Sequence, residues 1–300
     1  MRKTIFRYVF SFLLLAVVSA LLLPLVFMLT GSFMSTSEVE YNYSGAYSGY
    51  TPGGFAHLVF VPRLFTLEQY GQVFLNSPDD MCAYWNSISL LLPTLAGLML
   101  VAPLAGFSLA KYRYRGKIVI SSMYILLALL PYHTMIVPNY IMLHRLNLLN
   151  SRASVWLTQI FHPLAVFICW RWMDKIPDEL LESSEMDGAN TLQKYVYIVL
   201  PQSKPALATV LVLSAADLWN MIEQPLVFFS SPELYPLSVV LSTQGSKQIG
   251  TAFVCGIIFS IPMILLFILL KDDFLYGTQS VVSSNKYQAA GKKGMLWHAK

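Results

Sequence analysis

Leu180-Leu181-Glu182-Ser183-Ser184-Glu185-Met186-Asp187-Gly188-Ala189-Asn190, continuing to Pro205, is a polar, acidic interval set between long apolar runs. Pro177 and Asp178 read as a helix start, because an acidic side chain is favoured at the positive end of the helix dipole. Gly188 reads as the C-terminal cap, the residue that turns left-handed without steric cost. Pro201 reads as the stop of a second short helix. The expected object is a bent helical elbow at 178–200, outside the lipid. A shaped, charged elbow kept between membrane spans implies contact with another molecule.

Working outward, composition points to a membrane protein. Charged residues make up 12% of the 300 residues and hydrophobic ones 56%, with a mean hydropathy of +0.56, whereas soluble domains carry roughly 25% charged residues. The charges are segregated, leaving uncharged intervals long enough for a hydrocarbon core, which takes about 20 residues. Spans are predicted at 9–30, 86–110, 118–139, 153–172, 205–229 and 250–270. The implied divisions are an N-terminus at 1–8, an outer segment at 31–85, a five-helix core at 86–270 that includes the elbow, and a tail at 271–300. An even number of spans puts both termini on one side.

Lysine and arginine select that side. Arg2, Lys3 and Arg7 precede the first span; Lys111, Arg113, Arg115 and Lys117 crowd the second connection; Lys175, Lys194 and Lys204 mark the elbow; Lys271, Lys286, Lys292 and Lys293 follow the last span. The opposite segments hold Arg63 and Lys247, with Arg145 and Arg152 as exceptions to the rule. Both termini and the elbow are therefore expected in the cytoplasm, and the first span is expected to be an uncleaved anchor.

Glu182, Asp187, Gly188, Ala189, Ile198, Pro201 and Pro205 fall at the spacing of the EAA loop of ABC importer permeases, with Ser183 and Ser184 where that family has alanines. Phe65-Thr-Leu-Glu-Gln-Tyr70 and the run from Ala105 to Lys117 are similar to segments of the maltose-type, carbohydrate-importing branch, and the chain resembles its second permease subunit. The resemblance implies the type I importer permease fold: an all-α polytopic protein of six transmembrane helices with a cytoplasmic coupling elbow between the fourth and fifth. It implies a bacterial inner-membrane location and four partners besides membrane lipid: a sister permease, two ATP-binding cassette ATPase subunits, and an extracytoplasmic solute-binding protein. Nothing points to nucleic acid. In the elbow, Glu182 would make a polar contact with an ATPase groove, Asp187 and Gly188 would set the bend, and Ala189 would allow close packing, with Ser183, Ser184 and Pro201 completing the loop.

Elsewhere, Pro131, His133, Pro138, His162 and Pro163 stand inside predicted spans, where prolines bend helices and titratable groups need a polar surrounding. Their alternative reading is packing. The fifth span carries Asp217, Trp219, Asn220 and Glu223. A carboxylate centred in hydrocarbon costs at least ~2.5 kcal/mol, so Asp217 and Glu223 are expected to face inward. By resemblance Asp217, Trp219 and Asn220 are translocation-path candidates, against a packing role. The small residues Ala96, Gly97, Ala102, Ala105, Gly106 and Ala110 would permit close helix packing. The outer segment 43–50, rich in Tyr, Ser and Gly, is expected to be irregular, and Thr66 with Gln69 reads as a capped helix start.

No phosphate-cradling Gly-x-x-x-x-Gly-Lys-Ser/Thr exists in the chain, so ATP hydrolysis would belong to partner subunits. Cys82, Cys169 and Cys255 lack metal or redox spacing. The sequence gives no catalytic residue, metal ligand or cofactor site. The competing readings are an amino-acid or peptide importer permease, which would share the elbow, and a secondary transporter, which would need no ATPase.

Overall fold

A computed structural model describes the backbone at 2–47, 59–243 and 249–297, with side chains over 6–43, 59–131, 133–243 and 249–277. Among the described residues every regular element is helical. Four helices are long and apolar enough to cross a membrane: Phe6–Gly31, Pro78–Lys111, Arg152–Met173 and Ile249–Gly277. The number rises to 6 if two bent pairs each count as one span: Lys117–Leu129 with His133–Arg145, and Thr191–Gln202 with Lys204–Trp219. The chain divides into two compact units.

The first unit comprises residues 1–85 and 239–262. Its α1 (Arg2–Gly31) is apolar all round, and its membrane window buries nothing within the chain, as expected of a helix whose side chains meet lipid. A small core of Met34, Val39 and Tyr43 forms after it, joined by Phe27, Val59 and Phe253. The Tyr43 ring stands edge-on to Phe27 at 5.5 Å and to Phe253 at 5.9 Å. That packing corrects the reading of 43–50 as irregular: α2 (Thr36–Tyr47) is helical through Tyr47, and 48–50 lie outside the described residues.

The Thr66 cap is also corrected. Here α3 (Glu68–Gly71) has Leu67 at its N-cap with no side-chain hydrogen bond. The Glu68 carboxylate instead accepts from the Thr36 amide (3.2 Å) and hydroxyl (2.8 Å), and Gln69 Nε2 donates to the same hydroxyl at 3.3 Å. A carboxylate at the open N-terminus of α2 satisfies donors that α2 cannot satisfy itself. That tertiary pairing replaces the local cap.

The second unit comprises residues 86–238 and 263–300. Most of α4 (Pro78–Lys111) belongs to it; this helix begins before the predicted 86, with Pro78 and the acidic pair Asp79 and Asp80 in its first turn. The chain continues through α5 (Lys117–Leu129), α6 (Ile136–Arg145), α7 (Arg152–Ile160) and α8 (Pro163–Met173). A core of Leu90, Leu143, Val155, Phe228 and Phe229 joins α4, α6, α7 and the end of the predicted fifth span. Arg152 breaks the positive-inside pattern for a structural reason. Its guanidinium donates to Asn86 Oδ1 at 2.8 Å, while Asn86 Nδ2 donates to the Glu233 carbonyl at 2.6 Å.

Beyond the fourth span come α9 (Asp178–Met186), α10 (Thr191–Lys194), α11 (Leu200–Gln202), α12 (Lys204–Trp219), α13 (Glu223–Phe228) and α14 (Leu237–Thr243). The predicted spans at 118–139 and 205–229 are thus not single helices. The last helix, α15 (Ile249–Trp297), continues past the predicted end of the sixth span at 270 and through most of the tail, and no proline follows Pro262 to interrupt it.

Close packing uses the predicted small residues. Ala102 is fully buried and Ala110 nearly so. A Cβ on Gly106 would lie 2.7 Å from Cys169 Cβ and 2.8 Å from the Trp170 amide nitrogen, so α4 and α8 approach to backbone contact there. Gly106→Val has no room to relax and is expected to cost about 1–3 kcal/mol. Thermal unfolding of the detergent-purified protein should fall clearly for this variant and less for Gly106→Ala.

Candidate functional site

The elbow assembles as its residues dictate. In α9 the Ala189 N–H donates to Ser184 O at 2.9 Å and the Gly188 N–H to Glu185 O at 3.0 Å, with Gly188 at φ +83°. This paired closure is the Schellman motif, which consumes carbonyls the helix end leaves open. Two residues on, Asn190 Oδ1 accepts from the Gln193 N–H (2.9 Å), and Gln193 Oε1 accepts from the Asn190 N–H (2.8 Å). That reciprocal cap has a signal in the sequence, Asn-x-x-Gln at 190–193, which the reading of the elbow from Gly188 left out.

Pro201 does not end the second arm, as expected from sequence, but lies inside it. The preceding turn, Tyr195–Val199, widens so that the Leu200 N–H reaches back to Tyr195 O, and the arm continues to Gln202. A widened turn accommodates a residue that has no N–H to give. The break falls at Ser203, ahead of Pro205, where the arm meets α12 at 73°.

None of the side chains on α9 is buried. Glu182, Ser183 and Asp187 are exposed, Ser184 and Ala189 are half-buried, and Met186 is 90% exposed. The two serine hydroxyls donate back to the carbonyls of Leu180 and Leu181. A nine-residue helix without a buried face gains nothing from the core of its own chain. What holds it is polar. Lys194 Nζ lies 3.0 Å from Glu185 Oε2 across the bend. Lys111, at the end of α4 and 7% exposed, donates to the Ile176 carbonyl and to Asp178 Oδ1 at 2.7 Å. That hydrogen bond first, and the lysine charge second, hold the Asp178 carboxyl below its usual range. The tie to Asp178 is therefore complete at neutral pH and is lost only as the pH falls through that lowered value.

A second constellation lies among the spans, where three helices are interrupted. Leu130, before Pro131, is extended at ψ 132°, and a 3₁₀ turn at Tyr132–Met135 precedes α6. His162, before Pro163, is extended at ψ 113° between α7 and α8. Both follow from the clash that drives a pre-proline residue out of the helical region. The third interruption is Asn220–Ile222, between α12 and α13, where Asn220 Nδ2 donates to Ala216 O at 2.8 Å. With 16 residues, α12 is about 24 Å long, short of a hydrocarbon core of about 30 Å. A crossing here includes irregular backbone.

The interruptions meet at one cavity of about 540 Å³. His133, Gln159, His162, Asp217, Asn220 and Glu223 contribute polar groups, and Gln224 completes the wall. His133 Nδ1 and Glu223 Oε2 are 2.5 Å apart and link the breaks of the third and fifth spans. Gln224 is 1% exposed, and neither its amide oxygen nor its nitrogen has a hydrogen-bond partner among the described residues. His162 Nδ1 is likewise buried and unpartnered there. Of the three sequence candidates, Asp217 and Asn220 line the cavity, whereas Trp219 is 1% exposed and does not. Gln159 and Gln224 are not among the sequence candidates, because a neutral amide in an apolar run carries no charge to mark it; their position beside helix breaks is the available signal.

Residues 102–272, more than half of the chain and covering both the elbow and the cavity, match the family of binding-protein-dependent transport system inner membrane components. The chain belongs to that family. It is 24% identical to the arabinooligosaccharides transport system permease protein AraQ of Halalkalibacterium halodurans, over 85% of this chain and 88% of that one. With the galactooligosaccharides transport system permease protein GanQ of Bacillus subtilis it shares 25% identity over 90% and 93% of the two chains. With the multiple sugar-binding transport system permease protein MsmG of Streptococcus mutans it shares 26% over 90% and 95%. A chain of a bacterial ABC transporter involved in the import of the acidic polysaccharide alginate superposes with a TM-score of 0.75 at 21% identity, covering 91% of this chain and 98% of that one. The fold is that of an ABC importer permease, an all-helical, multi-pass membrane protein.

Replacing Lys111 by Met removes both hydrogen bonds that fasten the root of α9. Limited trypsin digestion of the purified protein should then cut after Lys175 several-fold faster than in the wild type, with the thermal midpoint little changed. An unchanged rate would mean that Lys111 does not hold the elbow.

Proposed function

We propose that this chain is a transmembrane subunit of a carbohydrate importer and that it converts ATP hydrolysis by separate subunits into motion of its own helices. Two of the relatives named above are transport permeases for oligosaccharides and a third belongs to a multiple sugar-binding transport system, which supports carbohydrate over amino acid or peptide as the cargo class. The remaining parts are a sister permease, two ATPase subunits and an extracytoplasmic solute-binding protein. Both termini and the elbow at 178–200 face the cytoplasm of a bacterial inner membrane, as the lysine and arginine distribution argues. The segment 31–85 and the mouth of the binding protein's approach lie on the other side.

The single observation that carries the coupling role is the elbow's construction. A helix with no buried residue, tipped by Met186 at 90% exposure, is held at its start by Lys111 and at its end by the Gly188 closure and Lys194. Such fastening without a core partner suits a lever whose apolar and acidic surface is covered by another chain. Glu182, Ser183, Ser184, Asp187, Gly188, Ala189 and Pro201 are its coupling residues. Movement of the lever has a short route to the cavity, because the second arm leads through the bend at Ser203 into α12, and α12 ends at Trp219, next to Asn220. Asp217 and Asn220 then line the path, and Trp219 packs behind it.

The test is co-expression of all subunits with Glu182→Lys, Gly188→Ala and Gly188→Asn in this chain. Glu182→Lys should reduce labelled-sugar uptake at least tenfold and release ATPase from washed membranes while this chain stays inserted. A Cβ on Gly188 meets nothing within 4 Å, so Gly188→Ala loses only the left-handed turn, at roughly 1–2 kcal/mol. Asn, which tolerates that conformation, should restore most of the uptake. Full uptake and ATPase retention with Glu182→Lys would overturn the coupling assignment.

A further inference from the structure

We propose that Gln224 and His162 form a hydroxyl-binding subsite inside this chain for a neutral, polyhydroxylated ligand, a step that rests on the importer reading. A buried amide normally finds partners for both its oxygen and its nitrogen. Gln224 is 1% exposed and has neither, although it lines an open cavity rather than a packed core. His162, on the same lining, also leaves Nδ1 buried and unpartnered among the described residues. Polar groups left without a protein partner at a cavity wall are satisfied by a ligand that brings the missing donors and acceptors.

The chemistry of the wall narrows the ligand. A carboxamide presents one acceptor and donors side by side in a plane, the complement of two neighbouring hydroxyls, one donating and one accepting. The cavity volume of about 540 Å³ lies in the ordinary range for small-ligand sites. Asp217 and Glu223 are the charged side chains of fixed sign on its wall; lysine and arginine are missing from that lining. Glu223 already engages His133 at 2.5 Å. An anionic sugar would meet the Asp217 carboxylate with no lysine or arginine in the lining, and like charges repel. A neutral diol meets a further acceptor instead. The subsite is therefore matched to uncharged sugars and not to uronates.

The experiment uses the whole transporter, this chain with its sister permease and ATPases, in proteoliposomes with the binding protein. The probes are arabinotriose and galactotriose as neutral ligands and a galacturonate trimer as the acidic one. Wild type should import at least one neutral trimer and not the uronate. Gln224→Leu and Gln224→Met should each lower that import at least tenfold, with the ATPase subunits still bound. Because each variant removes an unsatisfied buried amide, its thermal midpoint should stay level or rise. His162→Asn, which keeps a polar atom near the Nδ1 position, should retain more import than His162→Leu. Import within twofold of wild type in both Gln224 variants overturns the subsite and leaves the importer reading standing. So does parallel loss of stability and import in both, which would mark Gln224 as structural. Preferential uronate import overturns the neutral-ligand assignment. Import of amino acids with no trimer taken up overturns the carbohydrate reading itself.

Discussion

An amide group inside hydrocarbon must have a partner, and that requirement organises this chain. Helices satisfy it internally; interrupted helices do not, unless protein or water meets the loose N–H and C=O groups. Here the third, fourth and fifth apolar segments are interrupted at Leu130–Met135, Phe161–His162 and Asn220–Ile222. All three interruptions border the same cavity. One break would be a local accident of a proline. Three that converge, with histidine, amide and carboxylate side chains beside them, define a polar interior built into an apolar bundle. The His133–Glu223 contact then ties two of the breaks together, so a change in one is felt in the other.

The elbow follows a different physical logic. Its helices draw little from burial and are fixed by end chemistry: the Gly188 closure, the Asn190–Gln193 cap, and lysines at 111 and 194. Polar fastening outside a core gives a shaped surface that remains available to a partner. Its second arm bends by 73° into α12, and the same helix terminates sixteen residues later at the cavity. Force applied at one end has a short, continuous route to the other. Lys111 and the Trp172 indole, which donates to the Gln202 carbonyl at 3.0 Å, attach the elbow to α4 and α8 as well.

How much of this was legible beforehand depended on whether the deciding interaction was local. Gly188 acts on its own backbone, so the left-handed end of α9 could be read directly, and the start could be read from Asp178 in the first turn, where the helix dipole favours a carboxylate. The apolar runs also announced themselves, because lipid imposes a length. Pro201 was misjudged since a widened turn upstream absorbed it. Thr66 was misjudged because Glu68 found a better partner far away at Thr36. The breaks at Pro131 and Pro163 follow from the prolines, yet the break at Asn220 has no proline just before it and no local signal in the sequence. Trp219, a path candidate by resemblance, is turned by the helix into the core. Gln224 is visible only once α13 is folded against α6 and α7.

If the interruptions are wet, positions beside them react with water-borne reagents. The direct measurement replaces Cys82, Cys169 and Cys255, introduces a single cysteine at Asn220 or Met221, and times its modification by a charged, membrane-impermeant thiosulfonate in the assembled transporter. A cysteine at Leu15, on the all-apolar α1, serves as the lipid-facing reference. The account predicts rapid modification at 220 and 221, slowed when transported sugar is present, and none at 15. Protection of 220 and 221 equal to that of 15, with and without ATP, would contradict it.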